Sequence, residues 1–454
     1  MKKEKLTFPK RPFRTCGGAK VPHRKHTKEV ESVIMPSPAV VTIPMQQHIG
    51  APCKPVVSVG DEVFVGTVIG DSDAFVCAPI HSSVSGKVKN IVKINLPGGA
   101  CTDAVVIESD GTDTPDPGLK PVVVDSREDF LKAVRSSGLV GLGGAGFPAH
   151  VKLNIPKDKK IDTLLINCAE CEPYITADNR EVIENSWAVM SGIYAVTEIL
   201  GIKRVIIGIE NNKPEAIRIL REIADNEKYD PDDIIRVLPL KASYPQGAEK
   251  VLIKACTGRE VPAGKLPADA GCVVMNVTSV AFLSDFLKTG MPLTKKRLTI
   301  DGSAVKEPKN VIVPIGTSIK EVMEFCGGYK EEPCKILMGG PMMGLAVSDD
   351  TLPILKQNNA ILAFGEKEAR LSAETDCIRC GRCVNACPMK LMPTKICEAV
   401  KLSDFDGMQK QSIMTCMECG CCAFSCPANR HLVQTIRLGK SKLRAHINKQ
   451  KGDK

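Results

Sequence analysis

The sequence predicts a multidomain α/β protein, and three observations carry that prediction. The chain has 454 residues, which at ~150 residues per domain allows about three domains, or four if some are small. Between residues 121 and 290 helical and strand patterns alternate, the signature of an α/β layer. Short β-branched runs broken by Gly and Pro lie upstream of that stretch, and regularly spaced cysteines lie downstream of it. Hydrophobic residues make up 43% of the chain, enough for packed cores and too many for global disorder.

Composition excludes several classes. Aromatic residues are only 4%, with one Trp, which argues against single-strand nucleic-acid binding by base stacking. No apolar run reaches the ~18 residues of a membrane helix; the longest, over residues 272–283, is short and carries Asn276, Thr278 and Ser279. The charged start has no apolar stretch behind it, so a secretory signal is not expected and the protein should stay in the cytoplasm. There, 20 cysteines are not a disulfide framework but metal ligands, reactive thiols or core residues.

The net charge of +9 is uneven. Residues 1–35 form a basic segment with Thr15-Cys16-Gly17-Gly18, and residues 435–454 form a basic tail. Both ends read either as solvated and mobile or as docking on an acidic partner or an anionic membrane face. Residues 36–110 contain Val59-Gly60-Asp61, Gly66, Ile69-Gly70, Ala78-Pro79-Ile80 and Ser85-Gly86-Lys87-Val88. This pattern indicates a small antiparallel β module, similar to the lipoyl/biotinyl barrel-sandwich. The turn region, Asp71 to Phe75, lacks the lysine that a swinging arm requires, so a docking module is expected.

In the α/β region, Arg127 to Ser136 is predicted to be an amphipathic helix with Phe130, Leu131 and Val134 on one face. A glycine-rich segment follows, with Gly141, Gly143, Gly144 and Gly146. It formally matches a dinucleotide fingerprint, yet it follows a helix and precedes the strand at residues 161–167, the reverse of the Rossmann order. What survives is that its backbone N–H groups can approach a phosphate or a flat ring. Lys152 stands close enough in sequence to hold a phosphate. A buried strand is expected at 204–210, a helix at 213–226 and another helix opening after Tyr244. Residues 291–365 give strands around a short helix at 318–325, with Met338, Met342 and Met343 read as core filling.

Residues 366–434 hold Cys377-x2-Cys380-x2-Cys383-x3-Cys387-Pro388, repeated as Cys416-x2-Cys419-x2-Cys422-x3-Cys426-Pro427. Three thiolates two residues apart sit on a tight turn around one cubane face, and the fourth reaches the other cluster. One [4Fe–4S] cluster is therefore assigned to Cys377, Cys380, Cys383 and Cys426, the second to Cys416, Cys419, Cys422 and Cys387. A zinc site prefers two separated pairs with four thiolates in all, for which two full repeats leave little room. Cys421 is out of phase and not expected to be a ligand, and Cys397 is expected to pack in a helix. The other ten cysteines show no ligand spacing except Cys168-x2-Cys171, which reads as a redox dithiol, half a metal site, or part of a cofactor pocket. The histidines form no metal-binding pattern, and His23 and His26 read as solvated loop.

The glycine-rich segment followed by Lys152 resembles the flavin loop of the NADH-oxidising subunit of respiratory complex I. Asn167-Cys-Ala-Glu170-Cys-Glu172-Pro173 is similar to that family's Asn-Ala-Asp-Glu-Gly-Glu-Pro segment, and Asn276-Val-Thr278 loosely resembles its Asn-Asn-Val-Glu-Thr stretch. The resemblance implies that these residues line FMN, with NADH stacked over it. Ala169 in place of an acid and Cys171 in place of glycine depart from the pattern and bear on the NADH pose. The region after it resembles the β-grasp, or SLBB, domain of complex I relatives. The whole order of modules resembles the RnfC family, found in the Rnf complexes, which are membrane-bound ion-translocating NADH:ferredoxin oxidoreductases. That implies electron entry from NADH through FMN to two [4Fe–4S] clusters. It also implies the other Rnf proteins as partners, the membrane subunits and the ferredoxin-like RnfB, and a peripheral place on the cytoplasmic side of the cell membrane. Alternatives are a cobalamin reductase of the diol-utilisation type, and an electron-relay adaptor that holds clusters without oxidising NADH.

Overall fold

The computed structural model describes residues 6–156 and 158–452. Four sheets organise it. In the first module, strands Val40–Pro44, Cys101–Ser109, Gly86–Asn95 and Glu62–Val63 form an antiparallel sheet, and Lys54–Pro55, Val68–Asp71 and Ile80–His81 form a second. Alternation puts Val41, Ile43, Ile69, Ile80, Val88, Val105 and Ile107 into one core shared by both.

The central domain is a four-stranded parallel sheet in the spatial order Ile235–Leu240, Val205–Glu210, Thr163–Cys168, Cys272–Asn276. The strands are near-continuous apolar runs because helices cover both faces. The expected amphipathic helix is Arg127–Ser136, N-capped by Ser126 Oγ accepting from Asp129 N–H, with Phe130 and Val134 buried. The apolar run at 272–283 is split: a strand to Asn276, then helix Val277–Thr289. Among the described residues no helix is long and apolar enough to cross a membrane.

In the third module a six-stranded sheet runs Val33–Ile34, Lys309–Pro314, Lys295–Asp301, Ala360–Phe364, Lys335–Met338, Leu345–Val347. The short helix Ile319–Phe325 begins with a capping box between Ser318 and Glu321. Met338 fills core as expected, whereas Met343 is exposed and Met342 packs between domains. The last region packs helix Pro393–Lys401, carrying the buried Cys397, against the long C-terminal helix Leu432–Gly452.

The basic ends differ from the solvated, mobile reading. Residues 1–5 and 453–454 lie outside the described residues, but the rest of the N-terminal segment is a strap across three modules. Phe13 N–H donates to Ala255 O at 2.8 Å and Gly18 N–H to Ala386 O at 2.9 Å. Lys25 Nζ donates to the carbonyls of Glu170 at 2.7 Å and Glu172 at 2.9 Å, and to that of Ile175. Val33 and Ile34 add a parallel strand beside Val311 and Ile312. His26 is an exposed loop residue as expected, with its ring 3.1 Å from Asp301 and edge-on to Tyr174. In the tail, Arg437 Nε pairs with Glu418 at 3.1 Å and Lys440 Nζ donates to Cys416 O at 2.9 Å. The reason for the difference is that Lys25, Arg437 and Lys440 find carbonyls and carboxylates outside their own segments, which local charge counting does not register.

Candidate functional site

Chain order in the parallel sheet reverses between Thr163–Cys168 and Cys272–Asn276. In open parallel sheets the crevice outside the strands' carboxyl ends at such a reversal is the ligand site, because the connections diverge and leave a gap. Asn167 and Asn276 are direct partners across these two strands and sit at those ends. Asn276 also caps the next helix, its side-chain oxygen accepting from Thr278 and Ser279 N–H at 3.0 and 3.3 Å.

The glycine-rich loop lies over this crevice. It closes on itself where Gly141 N–H donates to Phe147 O at 2.9 Å, and it is tied down where Leu142 N–H donates to Ser279 Oγ at 3.3 Å. At Gly143 a Cβ would stand 2.5 Å from Asn276 Nδ2, so only glycine lets the loop rest on Asn276. At Gly144 nothing among the described residues stands within 4 Å, so bare backbone faces open space. Gly146, at φ +66°, offers its carbonyl to Ile49 N–H of the first module at 3.1 Å. Asp178 binds the opposite wall: Asn276 Nδ2 donates to it at 2.7 Å and Thr278 Oγ1 at 2.8 Å.

The loop after Thr163–Cys168 carries both predicted acids, and its backbone is strained at Glu170 and Tyr174. Glu170 has φ +48° and Tyr174 φ +70°. Asp178 N–H donates to Glu170 Oε1 at 2.6 Å, while the buried Oε2 has no hydrogen-bond partner among the described residues. Lys213 Nζ stands 4.0 Å from that oxygen and donates to Ala169 O at 2.7 Å. Burial pushes the Glu170 carboxyl up to about 7, against the pull of Lys25 and Lys213. Glu172 Oε2 accepts from Met342 N–H at 3.0 Å and its Oε1 stands 3.4 Å from Tyr244 OH; burial pushes it up to about 7 as well. Lys152 Nζ donates to Glu249 Oε1 and to Val274 O, each at 3.1 Å. Asn167 Nδ2 donates to Gly247 O at 2.8 Å, and Gly247 N–H returns to Cys171 Sγ at 3.2 Å. Cys168 is fully buried in the domain core.

Cys171 joins this site to the cysteine-rich region through a buried layer of Ala19, Tyr244, Met342, Cys419 and Cys421. Cys387 lines one cleft with Cys416, Cys419 and Cys422, the grouping in which the fourth cysteine crosses to the other run. Cys421, out of phase with the run's spacing, also lines this cleft, its Sγ 3.9 Å from Tyr244 O. A Cβ at Gly17 would lie 2.6 Å from the Cys387 backbone, so the strap packs directly against that cysteine. In the other group, Cys377 and Cys380 are exposed and Cys383 has Cys426 and Cys377 as neighbours.

Three family models match the chain: the RnfC barrel sandwich hybrid domain over residues 13–112, the Nuo51 FMN-binding domain over 134–285 and the SLBB domain over 297–346. The C subunit of a proton-translocating ferredoxin:NAD(+) oxidoreductase complex from Clostridium ljungdahlii is 45% identical, covering 94% of this chain and 93% of that protein. The C subunit of the Na(+)-translocating complex from Acetobacterium woodii is 43% identical over 95% of this chain and 98% of that protein. The chain belongs to the RnfC family, the C subunits of ion-translocating oxidoreductase complexes. A third member, from Rhodobacter capsulatus, is 38% identical over 96% of this chain and 85% of that protein. The barrel-sandwich, FMN-domain and SLBB expectations for this RnfC chain are thus borne out.

Of the predicted site residues, Gly141, Gly143, Gly144, Asn167, Asn276 and Thr278 come together around the crevice, with Glu170 and Glu172 in its floor loop. Lys152 comes to Glu249 and the edge of strand Cys272–Asn276. Sequence reasoning missed Asp178, Lys25 and Lys213. Only Asp178 left a signal, as an acid in the first turn of a helix just beyond the Asn167–Pro173 segment.

Proposed function

We propose that this chain is the NADH-oxidising, electron-entry subunit of a membrane-associated, ion-translocating NADH:ferredoxin oxidoreductase complex. The observation that carries the reading is the continuity of the glycine-loop crevice with the Cys387–Cys416–Cys419–Cys422 cleft through Cys171 and Tyr244. The residues present fit FMN: an open backbone cradle at Gly144 and a buried Glu170 oxygen with no hydrogen-bond partner among the described residues. Two groups of four thiols fit two [4Fe–4S] clusters. When bound, a flavin accepts a hydride from NADH and releases electrons singly, as one-electron clusters require.

The chain's own residues have separable tasks in this reading. Gly143, Gly144 and Gly146 present backbone N–H groups to the cofactor, Gly141 closes the loop on Phe147 O, and Lys152 stands at the phosphate. Asn167, Asn276 and Thr278 shape the crevice, and Asp178 holds the last two in place. Glu170 and Glu172 border the ribityl and nicotinamide groups. The cleft beside Tyr244 would hold the inner cluster. The group at Cys377, Cys380, Cys383 and Cys426, with two exposed cysteines, would hold the outer one and face the redox partner. The membrane proteins of the complex and its ferredoxin-like RnfB are the expected partners, on the cytoplasmic face.

The test is anaerobic purification followed by mixing with NADH. Flavin absorbance, about eight iron per chain and bleaching by NADH are expected. Iron near four with no flavin after careful reconstitution rejects the reading. Flavin and iron present without bleaching would leave an electron-relay adaptor.

A further inference from the structure

The barrel-sandwich module buries a convergent soft-donor set that the electron path does not use. Cys53 Sγ and Cys77 Sγ lie 3.4 Å apart, and His48 Nε2 lies 3.8 Å from the first and 3.7 Å from the second. His48 is 5% exposed, Cys53 4% and Cys77 0%. Ligands about 2.3 Å (sulfur) and 2.0 Å (nitrogen) from a tetrahedral zinc ion are separated by about 3.5–3.8 Å from one another, and all three edges fall close to that range. Among the described residues this is the one His/Cys/Asp/Glu trio with such convergence.

We propose that His48, Cys53 and Cys77 bind a thiophilic d10 cation, zinc, which staples the module where it holds the glycine loop. The imidazole is already oriented: His48 Nδ1 stands 3.3 Å from Ile49 O, the second partner that keeps Nε2 free as a ligand. Nε2 now accepts weakly from Ala78 N–H at 3.2 Å, a bond that the ion would replace. Binding exchanges two thiol protons for one divalent ion, so the site stays neutral and the two protons leave to solvent. Neutrality matters because the buried Lys356 ammonium lies beside it, tied to Pro79 O at 2.6 Å and Gly138 O at 2.8 Å. Three protein donors leave the fourth tetrahedral position beside the Ala78 carbonyl, which Cys53 Sγ meets at 3.4 Å.

The consequence follows from what surrounds the trio. Residue 49, next to His48, holds Gly146 O, and Lys356 holds Gly138 O at the loop's start. Joining segment 48–53 to segment 77–78 therefore fixes the platform on which the glycine loop rests.

The experiment uses the full chain with both clusters loaded, so that empty cluster sites cannot take zinc. After incubation with one equivalent of zinc and desalting, about one zinc per chain should remain beside about eight iron. The zinc K-edge X-ray absorption spectrum, which the iron does not obscure, should report two sulfur ligands and a nitrogen. A Cys53→Ser/Cys77→Ser variant should keep its iron and lose the zinc, while Cys256→Ser, another buried thiol, should retain it. Iron-replete wild-type protein that holds no zinc overturns the proposal. So does zinc with the same edge spectrum in the double variant, or a Cys53–Cys77 disulfide in protein kept anaerobic. If the double variant loses its iron too, the wild-type edge spectrum decides alone: sulfur and nitrogen ligands support the site and an all-oxygen shell rejects it.

Discussion

Cys416, Cys419 and Cys422 reach one cleft from a single short stretch of chain, whereas Gly143, Asp178 and Asn276 meet from three segments far apart in sequence. The first site repeats a local spacing of the kind that iron–sulfur clusters require, and these three thiols stay next to one another whatever else folds, with only Cys387 arriving from the other run. The second exists only once a parallel sheet has formed and its chain order has reversed. A coordination motif is thus robust to its surroundings, while a crevice at a switch point depends on every element that frames it.

The largest expected effect breaks the local site alone. Cys419→Ser should lower iron from about eight to about four per chain and leave flavin content unchanged. Loss of flavin with the iron would mean that the two sites are not separable. Next, Gly143→Ala attacks the long-range site: the new Cβ meets Asn276 Nδ2, which Asp178 and the helix cap hold in place. Overpacking of about 1–3 kcal/mol should weaken flavin binding about tenfold to a hundredfold, read by fluorescence titration, with iron intact. Wild-type affinity would show that the loop does not rest on Asn276.

Lys25→Met removes one ammonium from three carbonyls of the 170–175 loop. A loss of about 3 kcal/mol is expected for hydrogen bonds to a buried charge. It should appear as faster hydrogen exchange confined to that loop; unchanged exchange would mean that the strap does not hold it. The pH dependence is smaller. Glu172 is raised from 4.5 to about 7 in the fold, so between those values the folded chain binds the extra proton. Stability should therefore fall as pH rises through that window, by at most about 1.4 kcal/mol per unit. Glu172→Gln should flatten the slope, and an equal slope in both proteins would acquit Glu172. The smallest effect is on stability in Lys152→Met, whose partly exposed ion pair with Glu249 contributes under about 1 kcal/mol. Flavin affinity in the same variant should fall several-fold. If it does not, the phosphate is held elsewhere.

Much of the organisation is legible along the chain. Helix Arg127–Ser136 and the strand beginning near residue 204 are visible because apolar periodicity is local, and the cysteine runs because ligand spacing is local. The N-terminal charge reads as solvated along the chain because the acceptors of Lys25 lie about 150 residues away. The trio at His48, Cys53 and Cys77 shows no spacing signal because two β segments, not one turn, bring it together.

The sequence by itself determined the order of the modules, the glycine-rich loop and the two four-cysteine runs, since each depends on the chemistry of neighbouring residues. Only the tertiary structure decided that the glycine loop sits over Asn276, that Asp178 braces that side chain and that the strap ties down the 170–175 loop. Only the tertiary structure joined the crevice to the inner cysteine cleft through Tyr244. These contacts depend on sheet order and burial, which arise when distant segments together exclude water.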